Sequence, residues 1–288
     1  MLRHRLTLRP RHALALGLLQ GPTELLPVSS SAHTILVPLL AGWPYGELEA
    51  QLRKSFEVAL HAGTALALAL DMRAELAREA ARLNARRALV VALACAPPAV
   101  AGVAFERLIE QRMSEPAAAV RGLAAGALAM ALADMRPARR RREEVRLSDG
   151  LLLGIAQAAA LAPGVSRNGA TYAAARALGF RRADAQALSW HAGLPVMVGA
   201  ATLRAARIAR GGLIAGAPVP FATGAIAAFA STLVCARRLG RSAAARPLLP
   251  FALYRLALAG AARRCLAHAA APRVDRQRPL AGEGPLAA

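Results

Sequence analysis

The sequence contains few aromatic residues and few cysteines, and both shortages narrow the kinds of protein it can encode. Phe, Trp and Tyr make up 4% of the 288 residues, so the apolar bulk comes mainly from Ala and Leu, and 56% of the chain is hydrophobic. Cys95, Cys235 and Cys265 are isolated, without CxxC or Cys/His spacing, which gives no support for a disulfide framework or structural zinc. A mean hydropathy of +0.36 and Ala-rich apolar segments favour helices that pack closely in a bilayer.

Acidic residues are also scarce, at 17 against 37 basic residues, and nearly all of the basic residues are arginine. A net charge of +20 is compatible with a nucleic-acid partner, but the arginines are concentrated in short stretches between apolar segments. The positive-inside rule places such stretches on the cytoplasmic side of a membrane. We therefore expect no nucleic-acid partner, and we assign residues 73–87 and 136–146 to the cytoplasmic face of a multi-pass protein.

One apolar stretch contains an unusual cluster of polar side chains. Residues 16–34 carry an acid and an imidazole, Glu24 and His33, and the other members are Gln20, Ser29, Ser30 and Ser31. An ionisable group in hydrocarbon is costly unless it faces partners or a wet cavity, so the cluster predicts a functional site. Pro22 and Pro27 interrupt a continuous helix, which favours two half-length helices folded back as a re-entrant hairpin over one tilted span.

The same stretch recurs later in the chain. Residues 153–171 match it at a constant shift of 137 residues, so that Gln20 and Ser29 fall on Gln157 and Ser166. Further on, the tripeptide at 61–63, His-Ala-Gly, falls on the same tripeptide at 191–193, at a shift of 130. Self-similarity at a nearly fixed spacing indicates an internal repeat.

Apolar segments divide the rest of the chain into six candidate spanning helices. They lie near residues 56–72, 88–105, 117–133, 186–206, 213–235 and 248–268. Three of them, an odd number, separate the two hairpins, so the two copies must be inserted in opposite orientations. Inverted repeats with broken helices typically form one polar site near the bilayer midplane. We therefore predict an all-α, polytopic integral membrane protein with about six spanning helices and two re-entrant helical hairpins.

This scheme also defines the domain organisation. A single membrane domain covers residues 1–270, with inverted repeats at about 13–135 and 150–268. The tail, residues 271–288, is rich in Pro, Gly and Arg and is predicted to be disordered.

The second hairpin carries groups that suit a phosphate anion. Arg167 offers a planar, permanently charged guanidinium that matches phosphate oxygens. Ser166 and Thr171 add hydroxyls, and Gly164 and Gly169 let backbone N–H groups approach an anion closely. This half of the repeat is predicted to bind the anion.

The first hairpin carries groups that suit the chemical step. Glu24 and His33 beside Ser30 are the parts needed to activate an oxygen nucleophile or to hold a divalent cation. Together, the two hairpins predict the cleavage of a phosphate ester or a diphosphate at a membrane.

Structural interpretations of the same residues remain open. The serines before His33 could cap a half-helix, and Glu24 could serve only as the charge partner of Arg167. Glu57 is compatible with direct contact to the site and with a supporting position behind it. His61 and its repeat equivalent, His191, are interpreted as structural.

A transporter is the alternative from another class, because inverted repeats that meet at an anion site are transporter architecture. Binding alone needs Arg167, whereas hydrolysis also needs Glu24 and an oxygen nucleophile such as Ser30. An acid-phosphatase-like lipid phosphatase is a second enzymatic alternative. It requires a nucleophilic His soon after its Ser-Arg pair, but no His follows Arg167 before His191.

The motifs resemble those of the bacterial undecaprenyl-diphosphate phosphatase family, also called the bacitracin-resistance family. The first stretch is similar to the family's (Glu/Gln)-x-x-x-Glu motif, followed by Pro-Val-Ser-Ser-Ser-Ala-His at 27–33. The second resembles its Pro-Gly-x-Ser-Arg-Ser-x-x-Thr signature, here residues 163–171. Flanking matches, among them Pro-Phe-Ala-Leu-Tyr-Arg at 250–255, extend the resemblance over roughly residues 13–265.

The resemblance implies the fold, the activity and a role for each matching residue. The implied reaction removes one phosphate from undecaprenyl diphosphate in the bacterial inner membrane. It recycles the lipid carrier for peptidoglycan synthesis, gives bacitracin resistance and uses a divalent cation, Mg²⁺ or Ca²⁺. The resemblance implies that Glu24 is a catalytic carboxylate or a metal ligand, with Gln20 at the neighbouring motif position. It implies that Ser30 is a candidate nucleophile, with His33 and Ser29 close by. It also implies that the diphosphate is bound by Arg167, Ser166 and Thr171. A homodimer is compatible with the sequence.

Three positions depart from the family pattern. Gln20 stands where many members have Glu, which removes one candidate base or metal ligand. Asn168 replaces the second Ser of the signature, and we assign it to the diphosphate-binding group. His61 occupies a position where a neutral polar residue such as Gln is expected.

Overall fold

The computed structural model describes residues 7–105, 107–108, 115–211, 218–239 and 246–270, and these residues are folded into eleven α-helices and one short 3-10 turn. The helices are α1 (Pro10–Leu25), α2 (Ser30–Leu40), α3 (Ala50–Asp71), α4 (Arg73–Ala81), α5 (Ala85–Ala104), α6 (Pro116–Asp134), α7 (Leu147–Ala159), α8 (Arg167–Ala177), α9 (Arg182–Gly211), α10 (Pro218–Leu239) and α11 (Leu249–Ala270). The 3-10 turn is Arg142–Glu144.

Both predicted hairpins are broken helix pairs, α1–α2 and α7–α8. In the first, Leu26 is extended, with φ −87° and ψ 151°, because a residue before proline avoids the helical region. Each second helix begins at a serine with positive φ, Ser29 (75°) and Ser166 (67°). A non-glycine residue in this region is uncommon, and here each serine hydroxyl caps its helix by accepting a backbone N–H from three residues on. The break rules out a single continuous helix over residues 10–40.

The packing of the helices follows the repeat. Helix α1 packs along α10, and its repeat equivalent α7 packs along α5, which is the equivalent of α10. Helices α6 and α11, a third equivalent pair, pack on each other. Small residues allow the close approach, since a Cβ added at Gly17 of α1 would lie 2.5 Å from the carbonyl oxygen of Gly224. These are the contacts expected if the predicted repeat units pack in the same way, and the repeat itself stays a prediction.

Many large apolar side chains of the described helices are exposed, and several polar side chains are buried among them. Val100, Val103 and Ile226 are 67%, 71% and 67% exposed, whereas Gln20 and Arg255 are 1% and 0% exposed. Among the described helices, α5, α6 and residues 218–238 of α10 are long and apolar enough to cross a membrane. This distribution is that of a polytopic membrane protein, since lipid accepts apolar side chains and each polar group must find a partner inside.

The helix boundaries differ from prediction in two places. Helix α3 begins at Ala50, six residues before the predicted start at residue 56. Residues 73–87, predicted to be a basic loop, form α4 and the start of α5, because their Ala, Leu, Glu and Arg residues all favour helix. The predicted tail at 271–288 and most of the predicted connection at 107–116 lie outside the described residues.

One acidic residue at the end of α6 joins three elements. Asp134 Oδ1 accepts from Arg182 Nε at 3.1 Å and lies 3.4 Å from Arg176 Nε, and its Oδ2 accepts the backbone N–H of Leu248 at 2.9 Å. The side chain is 9% exposed, so these partners replace water.

We expect Asp134→Ala to lower the free energy of unfolding by about 3 kcal/mol, because it leaves a buried guanidinium without its carboxylate. Reversible denaturation in detergent measures the change. Glu47→Ala, at an exposed acid between α2 and α3, is the control and is expected to shift stability by less than about 0.5 kcal/mol. Equal stability of the two variants would contradict the role of Asp134.

Candidate functional site

The carboxylate of Glu24 lies in the last turn of α1, at the break of the first hairpin, and is 8% exposed. Ser30 Oγ donates to Glu24 Oε2 at 2.6 Å, and Gln20 Nε2 lies 3.5 Å from the same oxygen. Arg167 Nη2 of the second hairpin lies 3.6 Å from the other oxygen, Oε1. The two hairpins therefore meet at a carboxylate–guanidinium pair, with a hydroxyl donating to the carboxylate.

The guanidinium of Arg167 is held between α8, where it is the first residue, and α9. Its Nη2 lies 2.9 Å from Met197 Sδ, and its Cζ lies 5.2 Å from the centre of the Trp190 ring, in the range of a cation–π contact. Gly193 makes room for it, since a Cβ there would lie 1.8 Å from Arg167 Nη1. That Nη1 is buried without a hydrogen-bond acceptor, so the guanidinium is not fully satisfied by the protein.

Glu24 and Arg167 line a cavity of about 260 Å³ between the hairpins. The polar residues of its lining include Ser29, Ser30, Ser31, Glu57, His61, Ser166 and Asn168. The apolar residues of its lining include Val58, Pro98, Leu161, Val196 and Met197. A charged head group attached to a hydrocarbon chain would find both kinds of side chain in this cavity.

Helix α10 fixes the position of α1 beside this cavity. Ser231 Oγ accepts the backbone N–H of Gly21 at 3.2 Å and donates to the carbonyl of Gly17 at 3.0 Å. The hydroxyl thus lies between two groups of the α1 backbone one turn before Glu24. A Cβ at Gly21 would lie 2.5 Å from the Ser231 carbonyl carbon, so the two helices are in backbone contact here.

Gln157, the repeat equivalent of Gln20, does not reach the carboxylate. Pro98 in α5 has no N–H, so the carbonyl of Ala94, four residues earlier, lacks its helical donor. Gln157 Nε2 donates to that carbonyl at 2.8 Å and to the carbonyl of Ala192 at 3.3 Å. The equivalent glutamine therefore has a structural contact with α5 and α9.

Asn168 links the tips of the two hairpins. Its Nδ2 donates to the carbonyl of Leu25 at 3.0 Å. Its Oδ1 accepts from Ser189 Oγ at 2.9 Å and from Gln186 Nε2 at 3.2 Å. The family signature has a serine at this position. Here the Asn168 amide donates to the first hairpin through its nitrogen and accepts from α9 through its oxygen.

Four predicted site residues do not line the cavity. Gln20 is 1% exposed, and its Nε2 lies 3.5 Å from Glu24 Oε2. The imidazole of His33 faces α11, with Nδ1 2.7 Å from the Ser29 carbonyl and Nε2 2.7 Å from the Tyr254 hydroxyl. Thr171 is fully buried, and its hydroxyl contacts Ser189 and the carbonyl of Arg167. Gly164, with φ +85°, packs against the backbone of α6.

Sequence reasoning missed several residues that the fold brings to the site. His61, interpreted as structural, has its Nε2 3.8 Å from Glu24 Oε2 and lines the cavity. Its equivalent, His191, lies instead 3.4 Å from Glu75. In α11, Tyr254 contacts His33 of the first hairpin, and Arg255 contacts both hairpins. The available signal for these two residues was the matching stretch 250–255, to which no role was assigned.

The chain is similar to a known family over most of its length. The model of the bacitracin resistance protein BacA family matches residues 13–261. The chain belongs to this family. Among curated members, the undecaprenyl-diphosphatase of Geobacter sulfurreducens is 40% identical over 264 residues, covering 87% of this chain and 96% of the relative. Those of Geobacter metallireducens and Campylobacter curvus are 38% and 33% identical and cover 88% and 86% of the chain, and 97% and 95% of the relatives.

We expect Gly193→Ala to weaken the binding of inorganic diphosphate, because the added methyl group displaces the Arg167 guanidinium. The expected loss is about tenfold or more, equivalent to one charge-assisted hydrogen bond. Calorimetric titration of the detergent-solubilised protein measures it. Gly199→Ala in the same helix, where a Cβ meets nothing within 4 Å, is the matched control. Equal affinities of both variants would contradict the placement of Arg167.

Proposed function

We propose that this protein hydrolyses undecaprenyl diphosphate to undecaprenyl phosphate and inorganic phosphate. Its relatives from the two Geobacter species are undecaprenyl-diphosphatases. The observation that carries the proposal is the meeting of Ser30, Glu24 and Arg167 in one cavity. Anion binding alone requires only the guanidinium. A hydroxyl that donates to a buried carboxylate is the additional arrangement that hydrolysis requires.

In the proposed mechanism, Ser30 Oγ attacks the terminal phosphorus while its proton passes to Glu24 Oε2, 2.6 Å away. The P–O bond of the anhydride breaks, and undecaprenyl phosphate leaves with the proton from Glu24. Water then attacks the phosphoserine, Glu24 again takes the proton, and the P–Oγ bond breaks to release phosphate and restore the Ser30 hydroxyl. Arg167 stabilises the negative charge on the phosphoryl oxygens throughout.

The remaining cavity residues bind or support in this scheme. Ser29 and Ser166 present their hydroxyls beside the anion, and Glu57 is one of the polar residues that line the cavity. Asn168 sets the distance between the hairpin tips. His33 acts indirectly, because its ring is fixed against the Ser29 carbonyl, next to the nucleophile.

A divalent cation, Mg²⁺ or Ca²⁺, is part of the proposal. The described residues contain no group of three His, Cys, Asp or Glu able to enclose a metal. Mg²⁺ commonly uses one or two carboxylates and takes its other ligands from water and substrate phosphates. Glu24 fits that mode together with Gln20, whose Oε1 is buried without a donor. When bound, the cation would neutralise diphosphate charge.

The location follows from the substrate. A polyprenyl diphosphate is held in a bilayer by its chain, and the apolar residues that line the cavity, such as Val58, Val196 and Met197, are suited to the first isoprene units. We propose that the protein is a multi-pass protein of the bacterial plasma membrane, where carrier recycling supports peptidoglycan synthesis and bacitracin resistance.

We expect Ser30→Ala and Glu24→Gln each to reduce phosphate release from a short polyprenyl diphosphate by at least about 100-fold. Malachite-green detection with purified protein in detergent measures this release. Ser31→Ala is the comparison, because the Ser31 hydroxyl contacts Ser29 and not Glu24. If all three variants turned over like wild type, the proposed mechanism would be wrong.

We expect chelation with EDTA to abolish turnover and added Mg²⁺ or Ca²⁺ to restore it. In Gln20→Ala, half-maximal activity should require a cation concentration about tenfold higher, since one neutral oxygen ligand is lost. Turnover that is indifferent to EDTA would remove the cation from the proposal.

A further inference from the structure

Arg255, in the middle of α11, is completely buried, yet no carboxylate of the described residues lies within ion-pair distance of it. Its guanidinium donates to backbone carbonyls instead. Nη2 lies 2.8 Å from the oxygen of Gly164, 3.0 Å from that of Val165 and 3.2 Å from that of Gly122. Nη1 donates to the oxygen of Pro27 at 3.3 Å.

Three of these four carbonyls belong to the two loops that carry the reactive groups, and the fourth, that of Gly122, belongs to α6. Pro27 lies in the break of the first hairpin, three residues before Ser30. Gly164 and Val165 lie in the break of the second, directly before Ser166 and Arg167. A guanidinium presents five N–H groups in one rigid plane, so a single side chain binds both loops at once.

The space for the guanidinium is provided by glycines of two other helices. A Cβ at Gly126 of α6 would lie 2.1 Å from Arg255 Nη2, and a Cβ at Gly169 of α8 would lie 2.9 Å from Nη1. Methyl groups at these positions are therefore incompatible with the observed side chain. The slot is shaped for a guanidinium in this orientation.

We propose that Arg255 is a positioning residue for the reaction, fixing the separation of the two hairpin loops and thus the distance from Ser30 and Glu24 to Arg167. This inference rests on the hydrolysis proposed above. Loss of the hydrogen bonds from Arg255 to the two loops leaves each half of the site intact but misaligned. A misplacement of about 1 Å is sufficient to slow a reaction by roughly 100-fold.

A second buried arginine serves as a matched control. Arg176 of α8 is 3% exposed and also donates to backbone carbonyls, those of Phe180, Asp134 and Arg136. Its bonds lie at the opposite end of α8 from Arg167. Substitution of Arg176 therefore shows how much kcat and stability fall when a buried guanidinium is lost away from the hairpin loops.

The experiment compares Arg255→Lys and Arg176→Lys with wild type in phosphate release from a short polyprenyl diphosphate, with thermal unfolding measured in parallel. Lysine keeps the charge, but a compact ammonium cannot span carbonyls on both loops. We expect kcat of Arg255→Lys to fall about 100-fold with KM within about threefold, and kcat of Arg176→Lys to stay within about threefold. Retained kcat in Arg255→Lys, or an equal loss in both variants at equal stability, would overturn the inference.

Gly126→Ala is a second variant that keeps Arg255 and displaces its guanidinium. It should reproduce the fall in kcat, whereas Gly102→Ala, where a Cβ meets nothing within 4 Å, should not. A normal kcat in Gly126→Ala would count against the positioning role even where Arg255→Lys fails to fold.

A measurement without turnover separates this inference from the proposed function. Spin labels on Leu26→Cys and Ala162→Cys, one in each loop and neither of them fully buried, report the separation of the loops by double electron–electron resonance, in a background with the three native cysteines replaced by Ala. Arg255→Lys should shift or broaden the distance distribution, whereas Arg176→Lys should leave it unchanged. Equal distributions in the two variants would overturn the positioning role of Arg255, and a wild type that releases no phosphate would overturn only the proposed function.

Discussion

The pairing of Glu24 with Arg167 in an apolar environment is the constraint on which the site depends. A buried charge without a partner costs several kcal/mol, and each of these groups is the compensating charge of the other. They come from opposite halves of the repeat, so the site cannot form until both hairpins are packed. Burial also excludes water, which makes both groups more effective toward a diphosphate than they are in solution.

Much of this arrangement could be predicted from the sequence because it is repeated. The shift of 137 residues identified two equivalent stretches, and their prolines indicated broken helices at the positions where Leu25 and Ala159 end α1 and α7. Charged residues isolated in apolar surroundings need partners. On this basis the sequence predicted a contact between Glu24 and Arg167. The inverted orientation of the repeats and the number of spanning helices remain predictions.

The sequence was less informative where a side chain depends on a distant helix. His33 is close to Ser30 in the chain, but its ring is turned toward Tyr254, 221 residues away. Arg255 was one arginine among many until its carbonyl partners from two loops were known. His61 and His191 look identical in the sequence, and only the packing around each directs one to Glu24 and the other to Glu75. In α4, basic residues suggested a loop although their helix propensity is high.

Pro98 has a consequence for how a duplicated scaffold acquires chemistry. In one copy, Gln157 completes the backbone hydrogen bond that Pro98 leaves open in α5. In the other copy, the corresponding helix α10 has no proline after Pro220, so it presents no such open carbonyl, and the amide of Gln20 lies beside Glu24 instead. A symmetric architecture thus supports an asymmetric centre, because one proline in a neighbouring helix determines which of two equivalent glutamines is engaged by the backbone.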